Sequence, residues 1–177
     1  MKNLKNALPL GALAAALACH VALAADAAQP PKAEAHMQKV LDALKSLDGK
    51  PIETLTPEEA RKQPTPADAV KKVLADEKKS TAPDAGVSVK DMTVAVDGGS
   101  VPVHIYTPEG KGPFPVMVYY HGGGFVIADT KVYDASPRAL AKMAKAIMVA
   151  VDYRRAPEHP FPAAPNDAYA AYIWTTQ

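Results

Sequence analysis

The chain has 177 residues, room for one globular domain and not comfortably for two, with 48% hydrophobic residues and few aromatics. Its 20 basic and 19 acidic residues nearly cancel, so no strong field directs it toward nucleic acid or an anionic surface. The single cysteine, Cys19, excludes a disulfide framework and a thiolate metal site.

Lys2 and Lys5 precede an apolar run from Ala7 to Ala18, interrupted once by Pro9. Ala22-Leu23-Ala24 then offers small residues at −3 and −1 of a cleavage point. A charged start, a short apolar core and an A-x-A site predict a secretory signal peptide over residues 1–24, hence an exported protein, periplasmic or secreted. The run is too short for a transmembrane span. Two alternatives stand beside this reading. One is an Ala-rich helix of the mature chain. The other is a lipoprotein with Cys19 lipidated after Leu17-Ala18, although Ala16 is a poor fit to the aliphatic residue usual three positions before it.

Residues 25–85 read as a linker, containing Gln29-Pro30-Pro31, followed by helices. Met37, Val40, Leu41, Leu44 and Leu47 recur at helical spacing, with Gly49 as the stop. Thr56-Pro57-Glu58-Glu59 carries an N-cap, an N1 proline and a capping-box Glu. Thr65-Pro66-Ala67-Asp68 opens a third helix with Val70, Val73 and Leu74 on one side. These helices either pack beside the rest of the chain or cover a site as a lid; amphipathicity alone favours packing.

From Val87 the period becomes two: Val87, Val89, Met92, Val94, Val96, a turn at Asp97-Gly98-Gly99, then Val101, Val103 and Ile105. This predicts a β-hairpin. Val116-Met117-Val118-Tyr119-Tyr120 and Ala146 to Val151 are continuous apolar runs separated by a helix that Ser136-Pro137 caps. Strand, helix and strand of this kind predict a parallel pair buried on both faces. Asn166 or Asp167 opens a last helix, Ala168 to Thr175.

His121-Gly122-Gly123-Gly124-Phe125 leaves the first of these apolar strands. Three residues without Cβ let backbone N–H groups approach a ligand, although a sharp turn after a parallel strand also uses glycine. Its position counts, because ligands of open α/β sheets bind at the carboxyl ends of the strands. The loop is neither G-x-G-x-x-G nor a P-loop, so no nucleotide cofactor is expected.

The HGGGF loop, followed by Asp152-Tyr153-Arg154 and Ala156-Pro157-Glu158-His159-Pro160-Phe161-Pro162-Ala163-Ala164, resembles the hormone-sensitive-lipase-like (bacterial family IV) esterases. The resemblance covers residues 86–177 well and the upstream, cap-like helices more loosely. Arg155 stands where many members carry Leu. It implies the N-terminal part of an α/β-hydrolase sheet, a hairpin followed by a parallel βαβ unit. It also implies acyl transfer on a small ester substrate, without cofactor or metal. The N–H groups of Gly123 and Gly124 would form part of the oxyanion hole, which typically accounts for about 10²–10³ in rate per donor. Gly122 would shape the turn, and His121 would fix the loop by hydrogen bonding. Asp152, Arg154 and Glu158 would be ion-pairing structure, and neither His159 nor Asp167 a triad member.

No G-x-S-x-G nucleophile elbow occurs; Gly98-Gly99-Ser100-Val101-Pro102 comes nearest and ends in proline. Serine, acid and histidine follow in that order in this fold. On the resemblance, all three would lie beyond the last helix, the chain would be an N-terminal fragment inactive alone, and one edge of the parallel pair would be bare. The alternative function is a non-catalytic exported binding protein built on the same fold.

Overall fold

A computed structural model describes residues 33–83 and 85–177. The leader of residues 1–24, Cys19 and the Gln29-Pro30-Pro31 linker lie outside the described residues. Alternation from Val87 onward builds β1 (Val87–Val96), which returns through Asp97-Gly98 into β2 (Gly99–Pro108). The antiparallel register runs from Val87↔Pro108 to Val96↔Gly99, the hairpin that the turn signal predicts. β3 (Val116–Tyr120) and β4 (Ile147–Val151) pair in parallel, Val116 opposite Ile147 and Tyr120 opposite Val151. Between them run α4 (Thr130–Tyr133) and α5 (Ala135–Ala144). β2 joins β4 antiparallel, giving the sheet order β1-β2-β4-β3.

Each face of the sheet carries its own core. Val94, Val101, Val103, Val149 and Val151 cluster with Ala164 and Ala171 of α6 (Ala163–Thr175). Val87, Tyr106, Met148 and Ala150 cluster with Ala141 of α5. The apolar positions of β1 therefore change parity. Met92, Val94 and Val96 serve the α6 face, whereas Val87 serves the α5 face. A strand buried on one face at one end and on the other face at the other end reads as broken alternation.

Two helix boundaries differ from expectation. The last helix starts at Ala163, not at Asn166 or Asp167. Ala163 N–H donates to the Pro160 carbonyl, and Pro165 sits in the first turn, where its missing N–H leaves no helical bond unmade. α5 starts at Ala135 with Asp134 in the N-cap position, so Ser136-Pro137 falls inside the first turn. Asp134 instead accepts from the Tyr106 hydroxyl at 2.9 Å and from Arg138 at 3.1 Å, tying β2 to α5.

Upstream lie α1 (Ala35–Ser46), α2 (Pro57–Arg61) and α3 (Pro66–Asp76). Both Thr-Pro openings form complete capping boxes, Thr56 with Glu59 and Thr65 with Asp68. The left-handed residue after α1 is Asp48 (φ 53°), one position before Gly49. α1 and α3 pack against each other, with Lys39 and Glu77 paired at 2.6 Å. No helix among the described residues is long and apolar enough to cross a membrane.

Among the described residues β3 is an edge strand, and Val116, Met117 and Tyr120 are 40–50% exposed. An uncharged apolar edge pairs readily with other chains. Met117→Lys is therefore expected to slow concentration-dependent light scattering while changing stability by no more than about 0.5 kcal/mol. Aggregation at the parental rate would contradict the assignment of this edge as the sticky one.

Candidate active site

β3 delivers His121 to the carboxyl end of the sheet, where it is buried. Its ring stacks on Tyr153, with centroids 4.3 Å apart and planes within 9°. The Tyr153 hydroxyl donates to the His121 carbonyl at 2.7 Å, and burial pushes that phenol above its ordinary pKa, so it stays a neutral donor. His121 Nδ1 lies 2.8 Å from the Gly122 carbonyl oxygen. A carbonyl only accepts, so Nδ1 carries the proton. Nε2 has no hydrogen-bond partner among the described residues and sits 3.6 Å from an Asp152 carboxylate oxygen.

Gly123 and Gly124 have φ of 131° and 60°. A Cβ on Gly123 would stand 2.0 Å from the Ile127 carbonyl oxygen, so glycine is obligatory there. Nothing lies within 4 Å of a Cβ on Gly124. Gly122 has no left-handed φ; a Cβ there would come within 2.9 Å of the Tyr133 hydroxyl. The turn is thus shaped by Gly123 and Gly124, and Gly122 makes room for Tyr133.

Among the described residues, the N–H groups of Gly123 and Gly124 donate to no acceptor. Their directions are nevertheless fixed. A peptide is planar and trans, so an N–H points opposite the carbonyl of the preceding residue. The carbonyl behind the Gly123 N–H is that of Gly122, held by His121 Nδ1. The one behind the Gly124 N–H is that of Gly123, which accepts from Val126 N–H at 3.1 Å and Ile127 N–H at 3.0 Å. Two adjacent donors are left unused and aimed from the far side of their own peptide planes. Bonds to those carbonyls also polarise the amides and strengthen the N–H groups as donors.

The segment after β4 braces this turn. Ala156 N–H donates to the Phe125 carbonyl at 2.9 Å, and Arg155 donates to that of Ala128. Two of the three residues expected to be ion-pairing structure, Arg154 and Glu158, form ion pairs, with partners that the sequence did not indicate; Asp152 takes a backbone bond instead. Arg154 grips the fully buried Asp167 through its backbone N–H (2.9 Å), Nε (2.9 Å) and Nη2 (2.7 Å). Glu158 pairs with Arg61, whose guanidinium holds its carboxyl well down, to about 2. Asp152 accepts from Thr130 N–H at 3.3 Å. The sequence singles out neither Arg61 nor Tyr133, and does not pair Asp167 with Arg154, because their partners lie across other elements; Arg61 and Glu158 are 97 residues apart. Asp167, held by Arg154, and His159, whose N–H bonds to the Arg155 carbonyl, are not brought together into a dyad. Among the described residues no serine hydrogen-bonds to His121 or to the glycine turn.

Residues 117–177 match the family model of the α/β-hydrolase fold. The carboxylic ester hydrolase LipN of Mycobacterium tuberculosis is 42% identical over 92 residues, covering 52% of this chain and 24% of LipN. Carboxylesterase NlhH of the same species is 46% identical over 88 residues, 49% of this chain and 28% of that protein. A hyperthermophilic esterase from the archaeon Pyrobaculum calidifontis superposes with a TM-score of 0.63 at 32% identity. That match covers 82% of this chain and 44% of the archaeal one. The chain thus spans less than half the length of these relatives.

Proposed function

We propose, for a chain that belongs to the hormone-sensitive-lipase-like esterases of the α/β-hydrolase fold, that it supplies the oxyanion-stabilising arm of a carboxylic-ester hydrolase. The observation that carries this reading is the pair of unused, pre-aimed N–H groups on Gly123 and Gly124. In acyl transfer a nucleophile adds to the ester carbonyl, and its oxygen becomes an alkoxide. Donors fixed in advance stabilise that charge without reorganising. His121 acts on the loop and not on the substrate, because Nδ1–H is engaged by the Gly122 carbonyl and Nε2 is buried away from the surface. The substrate is a small-molecule ester, and the relatives named carboxylesterases support that class. Lys2, Lys5 and Ala22-Leu23-Ala24 support export.

The nucleophile is not among the residues that surround the loop, and the sequence holds no G-x-S-x-G. The natural gene product is therefore expected to hydrolyse p-nitrophenyl butyrate, and these 177 residues alone to give no turnover above buffer. Turnover by the 177 residues alone would remove the nucleophile assignment. An inert natural product would remove the hydrolase reading.

A further inference from the structure

We infer that Arg61 is a positioning residue for the oxyanion loop, so that α2 acts as its external brace. This rests on the proposed role of Gly123 and Gly124.

Arg61 is the last residue of α2, and three of its nitrogens converge on the site. Nε donates to the Val126 carbonyl at 2.7 Å, and Nη2 donates to the Ala156 carbonyl at 2.7 Å. Nη1 and Nη2 together grip both oxygens of Glu158, at 2.7 and 2.8 Å. The two carbonyls belong to the two strips of chain that make the site. Val126 donates its own N–H to the Gly123 carbonyl, the group that sets the direction of the Gly124 N–H. Ala156 donates its own N–H to the Phe125 carbonyl. The guanidinium thus closes a ring of hydrogen bonds around Phe125 and Val126, from outside the loop.

Only arginine presents a planar fork with several donors in fixed directions; an ammonium cannot reach both carbonyls and a carboxylate at once. Val126 and Ala156 each offer their carbonyl to this one side chain, which otherwise belongs to a helix remote in sequence. Glu158 aims the fork, and its side chain is half exposed, so its contribution is orientation of Arg61 more than attraction.

The test follows amide exchange and ¹⁵N–¹H spectra of the chain. In Arg61→Ala, exchange of the Val126 and Ile127 amides is expected to rise about tenfold, the scale of one net hydrogen bond. Val149 and Val151 in β4 should keep their protection. Millimolar guanidinium should return Val126 and Ile127 toward the parental values, and methylammonium should not. Arg61→Lys, which keeps the charge without the fork, should resemble Arg61→Ala at Val126, and it covers the case in which the alanine variant does not fold. Unchanged protection of Val126 and Ile127 would overturn the inference, as would an equal rise in β4 or full recovery by lysine. Adding a monoanionic alkyl phosphonate to the parent reports separately on Gly123 and Gly124. A parent that responds to it beside an Arg61→Ala variant with an unaltered loop would sink only the brace.

Discussion

Gly123→Ala is expected to lower kcat of the proposed ester hydrolysis about 10²–10³-fold, the cost of losing one pre-aimed oxyanion donor. The new Cβ would stand 2.0 Å from a backbone oxygen and 2.8 Å from the adjoining carbon of Ile127. Neither is the end of a flexible side chain. The turn must open, and with it go the two bonds from Val126 and Ile127 that fix the Gly123 carbonyl. A φ of 131° adds strain of about 1–3 kcal/mol for any residue with a Cβ. Gly124→Ala provides the contrast, because its φ of 60° is the ordinary left-handed well and its Cβ meets nothing within 4 Å. The backbone cost there is about 1–2 kcal/mol, and the N–H stays in place. The two variants are therefore expected to differ by at least about tenfold in kcat, with Gly123→Ala the worse. Equal losses would show that glycine composition, and not the geometry of this turn, governs the loop.

Asp167→Ala should be the most destabilising single change outside the glycine turn. Its carboxylate is fully buried and receives three bonds from Arg154, two from the guanidinium and one from the backbone N–H. Removing one partner of such a pair strands the other, at a cost of about 3–5 kcal/mol. Domains have about 5–15 kcal/mol in total, so the variant should unfold at a markedly lower urea midpoint. The loss should also loosen the loop, since Arg154 precedes the residues that hold Phe125 and Ala128. Reversing the charges (Arg154→Asp with Asp167→Arg) is not expected to restore stability. The Arg154 N–H would then face a guanidinium where it now meets a carboxylate. A shift below about 1 kcal/mol for Asp167→Ala would demote the pair to an ordinary surface contact.

How far the sequence went can be read residue by residue. The hairpin, the Thr56–Glu59 capping box, the Thr65-Pro66 helix start and the parallel β3–β4 pair were legible, because each rests on local signals spaced two to four residues apart. The glycine loop was legible in position, yet the division of labour within it was not. That Gly123 alone tolerates no Cβ depends on where Ile127 comes back across the turn. The parity change along β1 was visible only as imperfect alternation, since it depends on which helix covers which end of the sheet. The last helix began early because prolines that normally end a pattern here start one. Asp167 was legible as a helix residue but not as the partner of Arg154, and Arg61 left no signal at all. A charged residue on a short helix announces no partner, and pairing across 97 residues leaves no local periodicity.

Among the described residues, Arg61 is the side chain through which the helices upstream of β1 hydrogen-bond to the site. A lid would place apolar side chains over the glycine loop, whereas the contact observed is the Arg61 guanidinium on backbone carbonyls behind it. The N-terminal segment, read from its amphipathicity as packing or lid, takes a third form at α2: a polar tie to the loop's outer side.

The most direct test of the central claim is a titration of the ¹⁵N-labelled chain with a monoanionic alkyl phosphonate, tetrahedral and charged like the intermediate of acyl transfer. Saturable downfield movement of the Gly123 and Gly124 amide protons is expected, absent in Gly123→Ala. Saturation that leaves those two amides unmoved while others shift, or no shift anywhere, would contradict it.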